Sequence, residues 1–341
     1  MIRARSPYII TVNEASQVST RIELWISATT YTTDPQYNLS KAIPASNAPT
    51  TYYDISPYIR EYFDHTQYTD ISGLTDTYSC TQLLNVKVKR YKTVGATETL
   101  IDTVEYKATD GYSEFADGVN YNGGNYLLDQ KTYYVYNLAS TGFITAYLPN
   151  NYQVKWTYPD GTDGTQIASP AGLYRFSYYP DFVVPDQSSW KIEVLNATDV
   201  VQATWYIKVI EECLYTPIKV DFINKHGAFQ REFFFKASTD SIEVTNKDYN
   251  LMQPYNYSLT GGQRTTYNQN GMQTIKVNSG WVEEDFKDNL KQLMLSEKVL
   301  VDGKPAILKT KSIELNKSIN TKQINYSLEF EFAYDLINSI V

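Results

Sequence analysis

The chain has 341 residues, room for two or three domains, and its 30 basic and 38 acidic residues give a net charge of −8. Positions 216–341 hold 15 residues of each sign, so the whole excess of acid falls in 1–215. With no basic block to neutralise phosphates, direct nucleic-acid binding is excluded, and with no run of about 18 apolar residues no membrane span is expected.

Tyr contributes 31 residues, Phe 13 and Trp 5, while Met contributes 4. Aromatic and β-branched side chains suit a pleated, half-buried surface, so strands are favoured over helices. Cys80 and Cys213 form no CxxC or Cys/His set, and reduced thiols in a protein made in a reducing cytosol are the simplest reading. The N-terminal "MIRARSPYIITV" lacks the apolar core of a signal peptide.

In chain order, "STRIELWIS" alternates Ile22, Leu24 and Ile26 with Arg21 and Glu23, leaving Trp25 on the other face, and "LLNVKVKRY" repeats the pattern through Leu84, Val86 and Val88. Residues 105–125 are rich in Gly, Asp and Asn and read as a loop or linker. Then come "YQVKWTYPDGT", "GLYRFSYYP", "WKIEVLN" and "TWYIKVIEE", with "PDGTDG" and "LNATDVV" as hairpin connections. Many short strands with turn signals predict fibronectin- or immunoglobulin-like β-sandwiches. The domains are therefore placed at 1–105, 106–215 and 216–341, with "LYTP" at 214–217 ending a hairpin and marking the second boundary.

"IKVDFINKHGAFQREFFF" alternates Ile218, Val220 and Phe222, then resumes after His226-Gly227 through Phe229, Phe233 and Phe235. Gly227 supplies the positive φ of a turn, so this is a hairpin and His226 an exposed turn residue. The polar, Tyr/Asn/Gln-rich stretch 236–278 reads as a long hairpin or arm reaching an adjacent subunit. In "SGWVEEDFKDNLKQLMLSEKV", Val282, Phe286, Leu290, Leu293 and Met294 recur at helical spacing, predicting one helix near 281–295 capped by Ser279 or Gly280. The chain closes on strands; in "QINYSLEFEFAYDL" Tyr326, Leu328, Phe330 and Phe332 share one face.

No reactive constellation emerges. There are two histidines, His65 and His226, no GxSxG elbow, no HExxH and no calcium loop. Asp160 and Asp163 fit a turn better than a calcium site, and "TGGQR" and "DGKPA" lack the spacing of a phosphate cradle. The carboxylates Asp64/Asp70 and Glu283/Glu284 are near in sequence only, as solvated faces and a helix first turn. No catalytic, cofactor-binding or metal-ligating residue is assigned, and the chain is read as no enzyme.

"ELWI" at 22–25, "NLSKAIPAS…YYDISPYIREYF" over 38–63, "DGYSEFADGVN" at 110–120, "FINKHGAFQREFFF" at 222–235 and the helix–strand block 279–332 occur in that order. The set resembles tail and virion structural proteins of tailed bacteriophages infecting Bacteroidota. The resemblance implies a building block whose C-terminal β-rich domain, carrying the helix, forms a ring like those of distal tail and baseplate-hub proteins. It implies homo-oligomers, about six copies to a ring, contacts with other tail or baseplate proteins, a place in the virion tail, and assembly in the host bacterial cytoplasm. The alternative is a tail adhesin binding host-surface glycans through exposed Tyr and Trp. Assembly contacts are assigned to Phe229, Phe233, Phe235, Tyr255, Tyr257, Lys287 and Lys291.

Overall fold

A computed structural model describes residues 1–44, 50–65, 70, 77–79, 82–121, 124, 132–136, 141–157, 161–167, 171–178, 189–210, 214–282, 286–314 and 324–337. The protein is mainly β, with several sheets and little helix. Two compact units divide the chain: Met1–Glu211 with Phe222–Arg231 and Asp288–Glu297, and Glu212–Asp221 with Glu232–Lys287 and Lys298–Val341. Cys80 and Cys213 lie outside the described residues, as do Asp160 and the acidic run 283–285.

Among the described residues the first unit has two large cores. In one, a five-stranded sheet runs Ile2–Arg3, Thr97–Thr109, Leu84–Val94, Ser19–Ser27, Tyr37–Ala42. Its inward residues Ile22, Leu24, Ile26, Val86 and Val88 pack with Ile10 and Val12 of the two-stranded pair Ile9–Val12/Thr51–Asp54 and with Ile59 of a short helix. Here a five-stranded sheet shares its core with a two-stranded one and a short helix. The helix, Ser56–Arg60, was not expected from periodicity, though Pro57 in its first turn is a start signal. Asp54 fixes its entry: the carboxylate accepts from the Ser56 N–H and hydroxyl and from the Tyr8 N–H. Trp25, on the opposite face, is buried beneath the ammonium groups of Lys87 and Lys89, 4.2 and 5.0 Å from its ring.

The second core is a two-sheet sandwich. Gly142–Leu148, Gly172–Tyr178 and Thr77–Ser79 form one sheet; Asp163–Ile167, Gln153–Thr157, Ser189–Leu195, Val201–Ile210 and Thr132–Tyr136 form the other. Ile144, Leu148, Tyr174 and Phe176 from the first meet Val154, Trp156, Ile192 and Trp205 from the second. Both expected hairpins are present. Thr157 faces Asp163 across one, and Asn196 Oδ1 closes the other by accepting from Thr198 and Val200 N–H groups.

The seven-stranded sheet has the order Phe229–Phe234, Ile218–Ile223, Val299–Val301, Lys304–Leu308, Ile324–Asp335, Arg264–Val282, Thr239–Asn250, with residues 222–231 counted in the first unit. The helix is Phe286–Met294 and buries Phe286, Leu290 and Leu293. Val282 and the proposed caps Ser279 and Gly280 belong to the preceding strand instead. There the register shifts between Asn278 and Trp281, and Ser279 Oγ accepts the Tyr326 N–H. A β-bulge, like a helix start, attracts small residues, and the two read alike in sequence.

Candidate functional site

Two places concentrate what the sequence singled out. The first lies within the first unit, where five distant segments meet: the N-terminus, His65, the loop after Thr109, the turn 224–228 and the helix end 288–297. Asn224 shapes the turn, its Oδ1 accepting from His226 and Ala228 N–H groups while its own N–H bonds the Ala228 carbonyl. Gly227 has φ +80°, as the hairpin reading requires.

His226, however, is not exposed. It is 7% accessible, and its Nδ1 accepts a 2.8 Å hydrogen bond from the Arg3 guanidinium. A guanidinium only donates, so Nδ1 carries no proton. Sequence reasoning placed His226 at the tip of a hairpin; it could not see that Asp110–Tyr112 lies across that tip. The Tyr112 N–H donates to the Lys225 carbonyl at 2.8 Å and Thr109 Oγ1 to the His226 carbonyl at 2.7 Å. The stretch read as a linker is thus partly a docked loop. His65 Nε2 is 2.6 Å from Asp110 Oδ2, while its Nδ1 is sealed from solvent, so that nitrogen is out of reach of an external substrate.

Charges tie the same segments together. Lys291 Nζ lies 2.8 Å from Glu114, and Lys225 Nζ 3.6 Å from Glu114 and 3.3 Å from Asp117. Lys291, then Lys225, hold the Glu114 carboxyl below its ordinary value. Arg5 donates to the Leu295 carbonyl at 3.0 Å, past the helix C-terminus where a cation is favoured, and pairs with Glu297, as does Arg60. Lys291, assigned to assembly, is therefore an intrachain partner, and Lys287 is half-buried.

The second place is in the second unit. Thr239–Asn250 pairs antiparallel with Arg264–Val282, and every residue of the first strand is exposed. Ile324–Asp335 pairs with the longer strand only as far as Met272, so beyond it the two strands run on as a ribbon with no third strand paired to it among the described residues. The tip is ordered by its own hydrogen bonds, Leu251 N–H to Gln263 O, Tyr257 N–H to Pro254 O and Gln253 Nε2 to Gly262 O. It nonetheless presents Met252 (99% exposed), Tyr255 (99%), Tyr257 (53%) and Leu259 (90%). Tyr255 and Tyr257 thus lie where a partner can reach them. Phe229, Phe233 and Phe235 do not: all three are buried, and the Phe233 and Phe235 rings pack 6.2 Å apart. The seven residues assigned to assembly do not form one surface. Met252 and Leu259 were missed because isolated apolar residues in a polar stretch carry no periodicity.

Among the described residues no group of three His, Cys, Asp or Glu side chains could hold a metal, and no helix is long and apolar enough to cross a membrane. No protein-family model matches the sequence, and no curated protein is significantly similar to it.

Proposed function

We propose that this chain is a structural subunit of a tailed-bacteriophage virion, an oligomeric tail or baseplate ring or adaptor component that engages its neighbours through the ribbon 239–282. The observation that carries the reading is the ribbon itself. A two-stranded ribbon is marginal in water without a third strand or a packed face, yet this one ends in a shaped loop bearing four exposed apolar side chains. Such a segment is accounted for when a neighbour covers it. Other tail proteins, a place in the virion tail and assembly in the host cytoplasm belong to the same reading, which the order of motifs along the chain also supports.

The test is mass by light scattering, with negative-stain images, on the full chain and on a variant whose residues 251–263 are replaced by an Asn-Gly turn. Closed particles, of about six copies in the ring reading, are expected for the full chain, and loss of particles with an unchanged fold for the variant. Particles that form equally well without the tip would remove the ribbon from the reading. A monomer whose Tyr255 and Tyr257 bind glycans on an array would favour the adhesin instead.

A further inference from the structure

The edge of the ribbon has a more specific partner. Among the described residues Thr239–Asn250 is the terminal strand of its sheet, and no described strand pairs with one side of its backbone over twelve residues, roughly 40 Å at the rise of a strand. The edge carries no proline and one lysine, Lys247, and its four charges, Asp240, Glu243, Lys247 and Asp248, are of both signs. The register irregularity does not bend it either. Between the pairs Thr245↔Asn270 and Lys247↔Tyr267 the extra residue lies in the partner strand, where Asn268 takes φ +51°. The opposite edge of the sheet, Phe229–Phe234, is buried at all six positions and offers no site for a strand.

We infer that Thr239–Asn250 pairs antiparallel with the same strand of a second copy, about a two-fold axis at Thr245. The inference deepens the assembly reading above and rests on its oligomeric part. The charges select the axis. In an antiparallel pair, facing residues must both turn their backbone groups across the seam or both turn them away, and this alternates along a regular strand. A two-fold axis must therefore pass through a residue and not between two. At Thr245 it sets Glu243 against Lys247 twice, once on each side, with Thr245 facing its own copy and Tyr249 facing Ser241. One residue earlier, at Val244, Asp240 meets Asp248 twice. At Glu243 or Lys247 that residue meets its own like charge, and at Asn246 no charges meet. Opposite charges across strands attract and like charges repel, so the Thr245 register is the favoured one. Among the described residues Glu243 has one ion-pair partner in its own chain, Lys309 at 3.7 Å, and both residues are exposed. The resulting seam joins one copy to one other. In a ring it would stack two rings face to face.

The test uses the full-length chain and three variants, E243K, K247E and the exchange E243K/K247E, in sedimentation equilibrium. Each single reversal turns two attractive pairs into two repulsive ones and is expected to weaken self-association about tenfold, while the exchange restores it. An exchange as weak as the single variants, or single variants indistinguishable from the parent, overturns the seam. So does a parent chain monomeric at the highest concentration reached, because this contact needs no other protein. Rings that stay stacked in pairs in all three variants overturn the seam and leave the assembly reading standing. Loss of particles on replacing the tip, with E243K and K247E silent, points to the same conclusion.

Discussion

At the scale of single residues, the meeting of Asp110–Tyr112 with the turn 224–228 sets the tightest constraint in the first unit. A Cβ at Gly111 would stand 2.6 Å from the Lys225 carbonyl oxygen, and one at Gly227 closest to the Gly111 nitrogen and 2.6 Å from that of Asp110. Both obstacles are backbone, which cannot rotate away. Gly111→Ala is expected to cost about 1–3 kcal/mol by overpacking alone, and Gly227→Val more, because a β-branched residue also resists positive φ. Melting temperatures check this; an unchanged value for Gly227→Val would refute the close approach. His226→Ala, silent if the residue were an exposed turn, is expected to destabilise by about 1–3 kcal/mol, since the buried Arg3 guanidinium loses its imidazole acceptor. Urea midpoints of His226→Ala, Arg3→Ala and the double variant measure the coupling. Additive effects would mean that the hydrogen bond contributes nothing.

At the scale of elements, the helix Phe286–Met294 shows how buried apolar residues and surface charge divide the work. Phe286, Leu290 and Leu293 form the buried stripe, and Lys291 on the exposed side reaches Glu114. The Glu114 carboxyl lies below its ordinary value of 4.5 when folded, chiefly through its hydrogen bond from Lys291. The unfolded chain therefore binds the proton more readily than the folded one. The stabilisation is complete above the ordinary value and is lost as pH falls through the depressed folded one. Lys291→Met should accordingly lower stability above about pH 5 and converge on the parent in stronger acid. Urea midpoints over that range test it, and a constant difference at every pH would show that the pair is not the cause. This also moves Lys291 from assembly to folding: its charge reversal should lower the melting temperature and leave the ribbon contacts alone.

At the scale of the whole molecule, the ribbon and the two cores of the first unit have different duties. The cores are closed by side chains such as Ile22, Leu24, Trp156 and Phe176, whereas Thr239–Asn250 buries none of its own. Replacing 251–263 by a two-residue turn should therefore leave the melting temperature within about 2 °C of the parent while abolishing particles, as exposed residues contribute little to folding. A large fall in melting temperature would mean that the ribbon helps hold the fold.

Period-two alternation was legible wherever one face of a strand meets a core, because burial alone imposes it: "STRIELWIS", "LLNVKVKRY" and "SLEFEF" all carry it. Asp-Gly and Asn-x-Thr-Asp turns were legible because their chemistry is local, as was the helical stripe. The short helix Ser56–Arg60 escaped because five residues hold too few turns for periodicity, and the helix start was misplaced because a bulge and a cap draw on the same small residues. The long polar stretch 236–278 was legible as an arm, but not its register or its free edge, which depend on where Ile324–Asp335 stops pairing. Tertiary structure alone decided that His226 is buried against Arg3, that Asp110 joins His65, and that Lys291 joins Glu114. Those partners lie 223, 45 and 177 positions apart, as the numbering of the chain shows. Sequence fixes what each segment does against its nearest neighbours; which distant surfaces meet is settled by how the packed layers close.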